Sequence, residues 1–171
     1  MVRKYSLLML TTILLLLLLA GCGKPVEEQI EMGMANVETA FNEGPLETNS
    51  EIGKIKVYIP TGYTIEESED ESNYLVKKDN HQFILFVNPN EQKNSRLLYD
   101  LFKQNQAKEI VEEKTFEMND TFGFAAILQN DEENYELIVN SGGVKISTLS
   151  SAKNIDIILQ EMMQIVQSVS F

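Results

Sequence analysis

The side chains able to do chemistry in this chain are few, and they stand apart. His81 is the only histidine and Cys22 the only cysteine. A Ser-His-Asp site has to be built on His81, which sits beside an Asp79-Asn80 turn signal, and no Gly-x-Ser-x-Gly elbow accompanies it. One cysteine and one histidine also fall short of a structural zinc site, which needs four such ligands. Gly142-Gly143 precedes a strand pattern rather than a helix, so it reads as a turn and not as a phosphate cradle. Carboxylates are plentiful. The run Glu66-Glu67-Ser68-Glu69-Asp70-Glu71 and the triplet Asp131-Glu132-Glu133 carry the hard oxygens that calcium takes. The first run lacks the spaced ligands and central glycine of an EF-hand loop, however, and reads as a solvated loop. No pair of acids is set off by an apolar surround, as a general acid and base would be. The residues therefore predict no catalytic centre, no metal site and no cofactor.

The remaining candidate chemistry is at the start of the chain. Arg3 and Lys4 precede an apolar run from Leu7 to Ala20 that ends in small residues, the pattern of a secretory signal peptide over residues 1–21. The run is shorter than the roughly 18 apolar residues of a spanning helix, so cleavage is the expectation. Leu19-Ala20-Gly21-Cys22 resembles the lipobox of bacterial lipoproteins. That resemblance implies that the Cys22 thiol receives a diacylglyceryl group and becomes the mature N-terminus. It places the protein on the cell membrane, held through the Cys22 lipid and facing the extracytoplasmic side. With Arg3 and Lys4 removed, 12 basic residues face 26 acidic ones, a net charge of −14. So acidic a surface is repelled by nucleic acid and by anionic headgroups, which leaves the lipid as the membrane contact. A single cysteine permits no internal disulfide, and the fold must rest on its hydrophobic core.

Residues 22–50 read as a membrane-proximal helix and linker. Pro25 suits a first helical turn, Glu27 and Glu28 suit its positive end, and Gly44-Pro45 stops it. Val26, Ile30, Met34, Val37 and Phe41 form one apolar stripe, either packed on the protein's own domain or offered to a partner or second copy. These five are the candidate partner-binding residues. Gly33 weakens the helix by about 1 kcal/mol relative to alanine.

Residues 51–171 read as a single domain. The alternation from Lys54 to Ile59 predicts a half-covered strand. Asn73 to Lys78 and His81 to Asn88 predict a hairpin, the second strand apolar on both faces and hence covered on both sides. Ser95 caps a predicted helix whose Leu97, Leu98, Leu101 and Phe102 are expected to be core. Then come four strands, 110–118, 121–129, 135–140 and 144–149, joined by turns short enough only for antiparallel neighbours. The apolar run from Phe122 to Leu128 predicts a second strand at the sheet centre, with Gly123 and Ala125 leaving room for a close helix. A closing helix runs from about Ala152 to Val169 behind a Ser151 cap, burying Ile155, Ile158, Leu159, Met162, Val166 and Val169.

Two strands apolar on both faces require two covering layers. The expected class is α+β, a three-layer α/β/α sandwich around a mainly antiparallel sheet. Ile59-Pro60-Thr61-Gly62-Tyr63 is similar to the "P-x-G-aromatic" entry of the Mog1/PsbP-like group, and Ile165-Val166-Gln167-Ser168-Val169 to its closing motif. The resemblance spans about 52–171. It implies a binding or assembly factor rather than an enzyme, here with an envelope protein as partner. The alternatives are a small-ligand or calcium-binding lipoprotein, with the two acidic runs as cues, and a minor hydrolase. A two-lobed solute-binding protein needs a longer chain.

Overall fold

A computed structural model describes residues 24–105 and 107–171. The predicted leader and Cys22 lie outside the described residues. Among these described residues three helices, α1 (Val26–Glu43), α2 (Leu97–Gln104) and α3 (Ile155–Ser168), accompany nine strands. β1 (Ser50–Ile52) and β2 (Ile55–Val57) form a small hairpin. The other seven are β3 (Tyr63–Glu67), β4 (Asn73–Lys78), β5 (His81–Val87), β6 (Ile110–Met118), β7 (Thr121–Gln129), β8 (Asn134–Ser141) and β9 (Val144–Ser151). They make one wholly antiparallel sheet in the order β3-β4-β5-β9-β8-β7-β6. The class is α+β with a large antiparallel sheet. Two local meanders meet where β5 pairs with β9, Phe83 opposite Thr148 through Val87 opposite Val144.

The inner face of the sheet carries the main core. Phe83, Leu85, Leu137, Val139 and Ile146 point into it from three neighbouring strands and meet Ile155, Leu159, Met162 and Val166 of α3. α1 lies beside α3 and over β6 and β7. This corrects the expected division at residue 50. The α1 stripe is not presented to a partner, because Ile30, Met34, Val37 and Phe41 are buried in this core and Val26 packs against it. Gly33 now has a reason. A Cβ there would stand 2.8 Å from Leu159 Cδ1 and 3.4 Å from the Asp156 Cα, so the glycine lets the two helices close. Gly123 does the same for the sheet, since its Cβ would meet the Phe41 ring at 2.9 Å and the Asn140 carbonyl oxygen at 2.7 Å.

Several local expectations change. The half-covered strand over 54–59 is shorter, Ile55–Val57, and pairs with β1, which the polar reading of 46–53 missed. β3 takes Glu66 and Glu67 out of the acidic loop and pairs them with Leu75 and Tyr74. β7 is not central but one strand from the edge; its two buried faces come from helices on both sides rather than from position. β5 is internal yet covered on one face only, with Phe83, Leu85 and Val87 buried and Ile84 48% exposed. α3 begins at Ile155 because β9 runs on to Ser151, which pairs with Asn134 and is not a helix cap. α3 has no side-chain cap, and the N–H of Asn154 just before it donates to Gln29 Oε1 of α1 at 2.8 Å. The Ser95 hydroxyl does accept from the Leu97 N–H, at 3.3 Å, but no residue of α2 is buried as core.

Because Phe41 is 1% exposed and also packs on Phe116 with ring centroids 5.4 Å apart, Phe41→Ala should lower unfolding free energy by about 3–5 kcal/mol. Chemical denaturation of the full chain measures this, and a change within about 0.5 kcal/mol would mean the helix is not part of the core.

Candidate functional site

The outer face of the sheet is where the helical cover is incomplete. α2 is eight residues long, and it covers only the β6 to β8 end. Phe122, Phe124, Ala126, Leu128 and Ile138 form a small second core with Tyr99 and Phe102 above them. The Phe102 ring stacks on Phe124 at 5.2 Å and Tyr99 meets Phe124 edge-on at 5.3 Å. Polar bonds fix the helix to the edge strand β6. Tyr99 Oη donates to Glu113 Oε1 and Lys103 Nζ to Glu113 Oε2, each at 2.7 Å, while Arg96 pairs with Glu117 and covers the Phe122 ring. Burial pushes the Glu113 carboxyl up, but the bonds from Lys103 and Tyr99 prevail and hold it below its ordinary range.

Past α2 the outer face is open. Ile84 and Leu149 are 48% and 57% exposed. Ile84 stands opposite Ser147 and Leu149 opposite Glu136, so the two are diagonal neighbours on β5 and β9. Between this strip and α2 lies a groove of about 390 Å³. Leu98, Leu101 and Phe102 form one wall and Phe124, Leu128 and Ile138 the floor, with Lys108, Glu136 and Lys145 at its margin. A larger concavity of about 810 Å³ opens at one end of the sheet, where the ends of α1 and α3 meet the Asn119-Asp120 and Ser141-Gly143 turns.

The residues that the sequence singled out do not converge there. His81 opens β5 at the Asp79 turn, where Asp79 adopts φ 51°, and its ring is 6.4 Å from Phe83. In each acidic run one aspartate is spent on a turn. Asp70 accepts from the Ser72 N–H at 2.9 Å and from Asn73 Nδ2 at 2.7 Å. Asp131 Oδ1 accepts from the N–H groups of Glu133 and Asn134 at 3.0 and 2.9 Å, and these bonds and the Asn134 amide hold its carboxyl below the ordinary range. Among the described residues no group of three or more His, Cys, Asp or Glu is placed to hold a metal ion. No described helix is long and apolar enough to cross a membrane. The groove itself went unseen in the sequence. The open strip beside it had one signal, Leu149, an apolar residue on the otherwise polar outward register of β9, Lys145-Ser147-Leu149.

The two quoted motifs are structural fastenings. Tyr63 is buried, donates its hydroxyl proton to Glu161 Oε2 at 2.6 Å, and lies under Lys78 Nζ, which itself bonds Glu161 at 2.9 Å. At the closing motif, Ser168 Oγ accepts from the Tyr58 N–H at 2.8 Å and donates to the Ile165 carbonyl at 2.7 Å. Burial, and then the hydrogen bond to Glu161 and its charge, raise the Tyr63 phenol well above its ordinary value of 10.0. The folded state therefore keeps a proton that the unfolded chain gives up. This contribution is complete below pH 10 and is lost as pH rises through the folded value. Stability measured by denaturant midpoint should decline above pH 10, and Tyr63→Phe should flatten that decline; an unchanged slope would show that Tyr63 titrates normally.

No family model and no curated protein matches the chain. Among solved structures, it is similar to the solution structure of cyanobacterial PsbP (CyanoP) from Synechocystis sp. PCC 6803. That likeness has 7% identity and a TM-score of 0.42 and covers 68% of this chain and 85% of that chain.

Proposed function

We propose that this protein is a lipid-anchored, extracytoplasmic binding or assembly factor without enzymatic activity, held to the cell membrane through Cys22. In this reading residues 1–21 are a signal peptide, and the fold is a three-layer α/β/α sandwich whose outer layer is unfinished. One observation carries the binding role. An internal part of the sheet leaves Ile84 and Leu149 half in water, although burying such side chains fully would stabilise the fold by about 1.5–3 kcal/mol each. Scattered exposed apolar residues are ordinary, but adjoining ones beside an apolar groove mark an interaction surface. The groove also favours the small-ligand form of the reading over the calcium form, because its walls are hydrocarbon and phenyl while Asp70 and Asp131 of the acidic runs are engaged in turns.

Two experiments test the two halves. Cys22→Ser should leave the protein either uncleaved or, once processed, released from membranes, since a thioether-linked diacylglycerol supplies the two acyl chains that stable anchoring takes. Processed Cys22→Ser protein that stays with the membrane would overturn the anchor. For the binding half, Ile84→Glu with Leu149→Glu should leave the melting temperature nearly unchanged, as exposed substitutions do, within about 0.5 kcal/mol each. The double variant should lose envelope proteins that co-purify with the wild-type chain from solubilised membranes. Identical co-purification would remove the open strip from the binding surface.

A further inference from the structure

Lys145 decides what the groove can hold. On β9, Val144, Ile146, Thr148 and Ser150 are turned into the core, so Lys145 comes out on the opposite face at the groove margin. Its neighbours there are apolar on one side, with Phe86 directly across on β5. The side across on β8 is Asn140, whose amide is fully buried and donates to the Gly142 and Val144 carbonyls at 2.8 Å each. Lys56, Lys93, Lys145 and Lys153 make no ion pair among the described residues, and of these Lys145 alone is partly buried. The groove's acid does not neutralise it, because Glu136 is already paired with Lys108 at 2.8 Å. In a protein of net charge −12, this apolar groove thus ends in an unspent positive charge.

We propose that the groove binds an amphipathic monocarboxylate, its apolar body between Leu101 and Ile138 and its carboxylate on the Lys145 ammonium. The inference rests on the reading of the outer face as a binding surface and adds the chemistry of the occupant. Size favours a small molecule, for about 390 Å³ lies at the small end of the roughly 300–1,000 Å³ typical of ligand sites. Charge excludes an amine, which would meet Lys145 with Glu136 already taken. A neutral apolar body would fill the walls and leave the ammonium without a counter-charge, whereas a carboxylate supplies a charge-assisted hydrogen bond. The aliphatic stem of Lys145 can lie along the groove while its head reaches the anion.

The test uses the full chain in nanodiscs of zwitterionic lipid, with empty nanodiscs as blank. Fluorinated phenylbutyrate, phenylbutanol and phenylbutylamine serve as probes, followed by ligand fluorine NMR. The carboxylate should bind about tenfold tighter than the alcohol, and the amine weakest. Lys145→Gln should bring the carboxylate down to the alcohol's affinity, Lys145→Arg should keep the preference, and Leu101→Asp should abolish binding of both. Equal binding of carboxylate and alcohol, with Leu101→Asp still abolishing it, overturns the anion inference and leaves the groove as a binding site. A carboxylate preference that survives Lys145→Gln also overturns it. Binding of no probe above the blank overturns the inference and the small-ligand form of the reading together, while the partner reading stands or falls on the co-purification of the strip variant.

Discussion

The antiparallel seam between β5 and β9 is the constraint on which the rest of the sheet depends. On one side of it β3, β4 and β5 form a meander closed by short turns, and on the other β6 to β9 form a second. Each meander presents an unpaired edge, and only the pairing of Phe83 to Val87 with Thr148 to Val144 turns them into one surface wide enough for two helices. Along this seam Phe83, Leu85 and Ile146 are all fully buried. The Thr148 hydroxyl donates to the Gln82 carbonyl at 2.7 Å across the same seam. Ladder bonds and core burial are thus gained at one place, and their loop-closure cost is met once.

From that seam follows the inequality of the two faces. The inner face receives two long helices that fit each other through Gly33 and fit the sheet through Gly123. The helix pair is further tied by Lys24 to Asp156 at 3.0 Å and by Gln167 Nε2 to the Phe41 carbonyl at 3.0 Å. The outer face receives only the two turns of α2, enough to cover the aromatic end over β7 and too few to reach β5 and β9. The apolar strip and the groove are what remains. Polar residues at Ile84 and Leu149 would serve the sheet about equally well, and the presence of adjoining apolar ones beside an apolar groove is the physical argument for an occupant.

The C-terminal end of the chain is fastened to β2 rather than left loose. Lys56 and Ser170 exchange both backbone hydrogen bonds at 2.9 Å, next to the bond from Tyr58 to Ser168. Meanwhile Tyr63, Lys78 and Glu161 clamp the outer hairpin to α3. The short entry and closing motifs that suggested a family are therefore places where distant chain segments are joined, and their residues carry mechanical rather than chemical roles.

Local physics wrote much of this fold openly in the chain. Turn residues such as Asp79-Asn80, Asn119-Asp120 and Gly142-Gly143, set between runs of period two, determined the β4–β5 hairpin and the β6 to β9 meander, while β3 was hidden in the acidic segment, and the 3.6-residue stripes determined α1 and α3. The apolar faces of β7 likewise announced helices on both sides. Tertiary structure alone decided the rest, because it depends on which distant surfaces meet. A stripe such as Val26 to Phe41 has the same periodicity whether it meets α3 or another molecule, and only the close fit at Gly33 assigned it to this core. In the same way, the apolar spacing in α2 promised burial, but eight residues anchored by Tyr99 and Phe102 cannot cover a seven-stranded sheet. Lys145 and Leu149 were two unremarkable strand residues in the sequence. Lys145 became the margin of a groove and Leu149 part of an open apolar strip only because the sheet placed them on the face that α2 leaves uncovered.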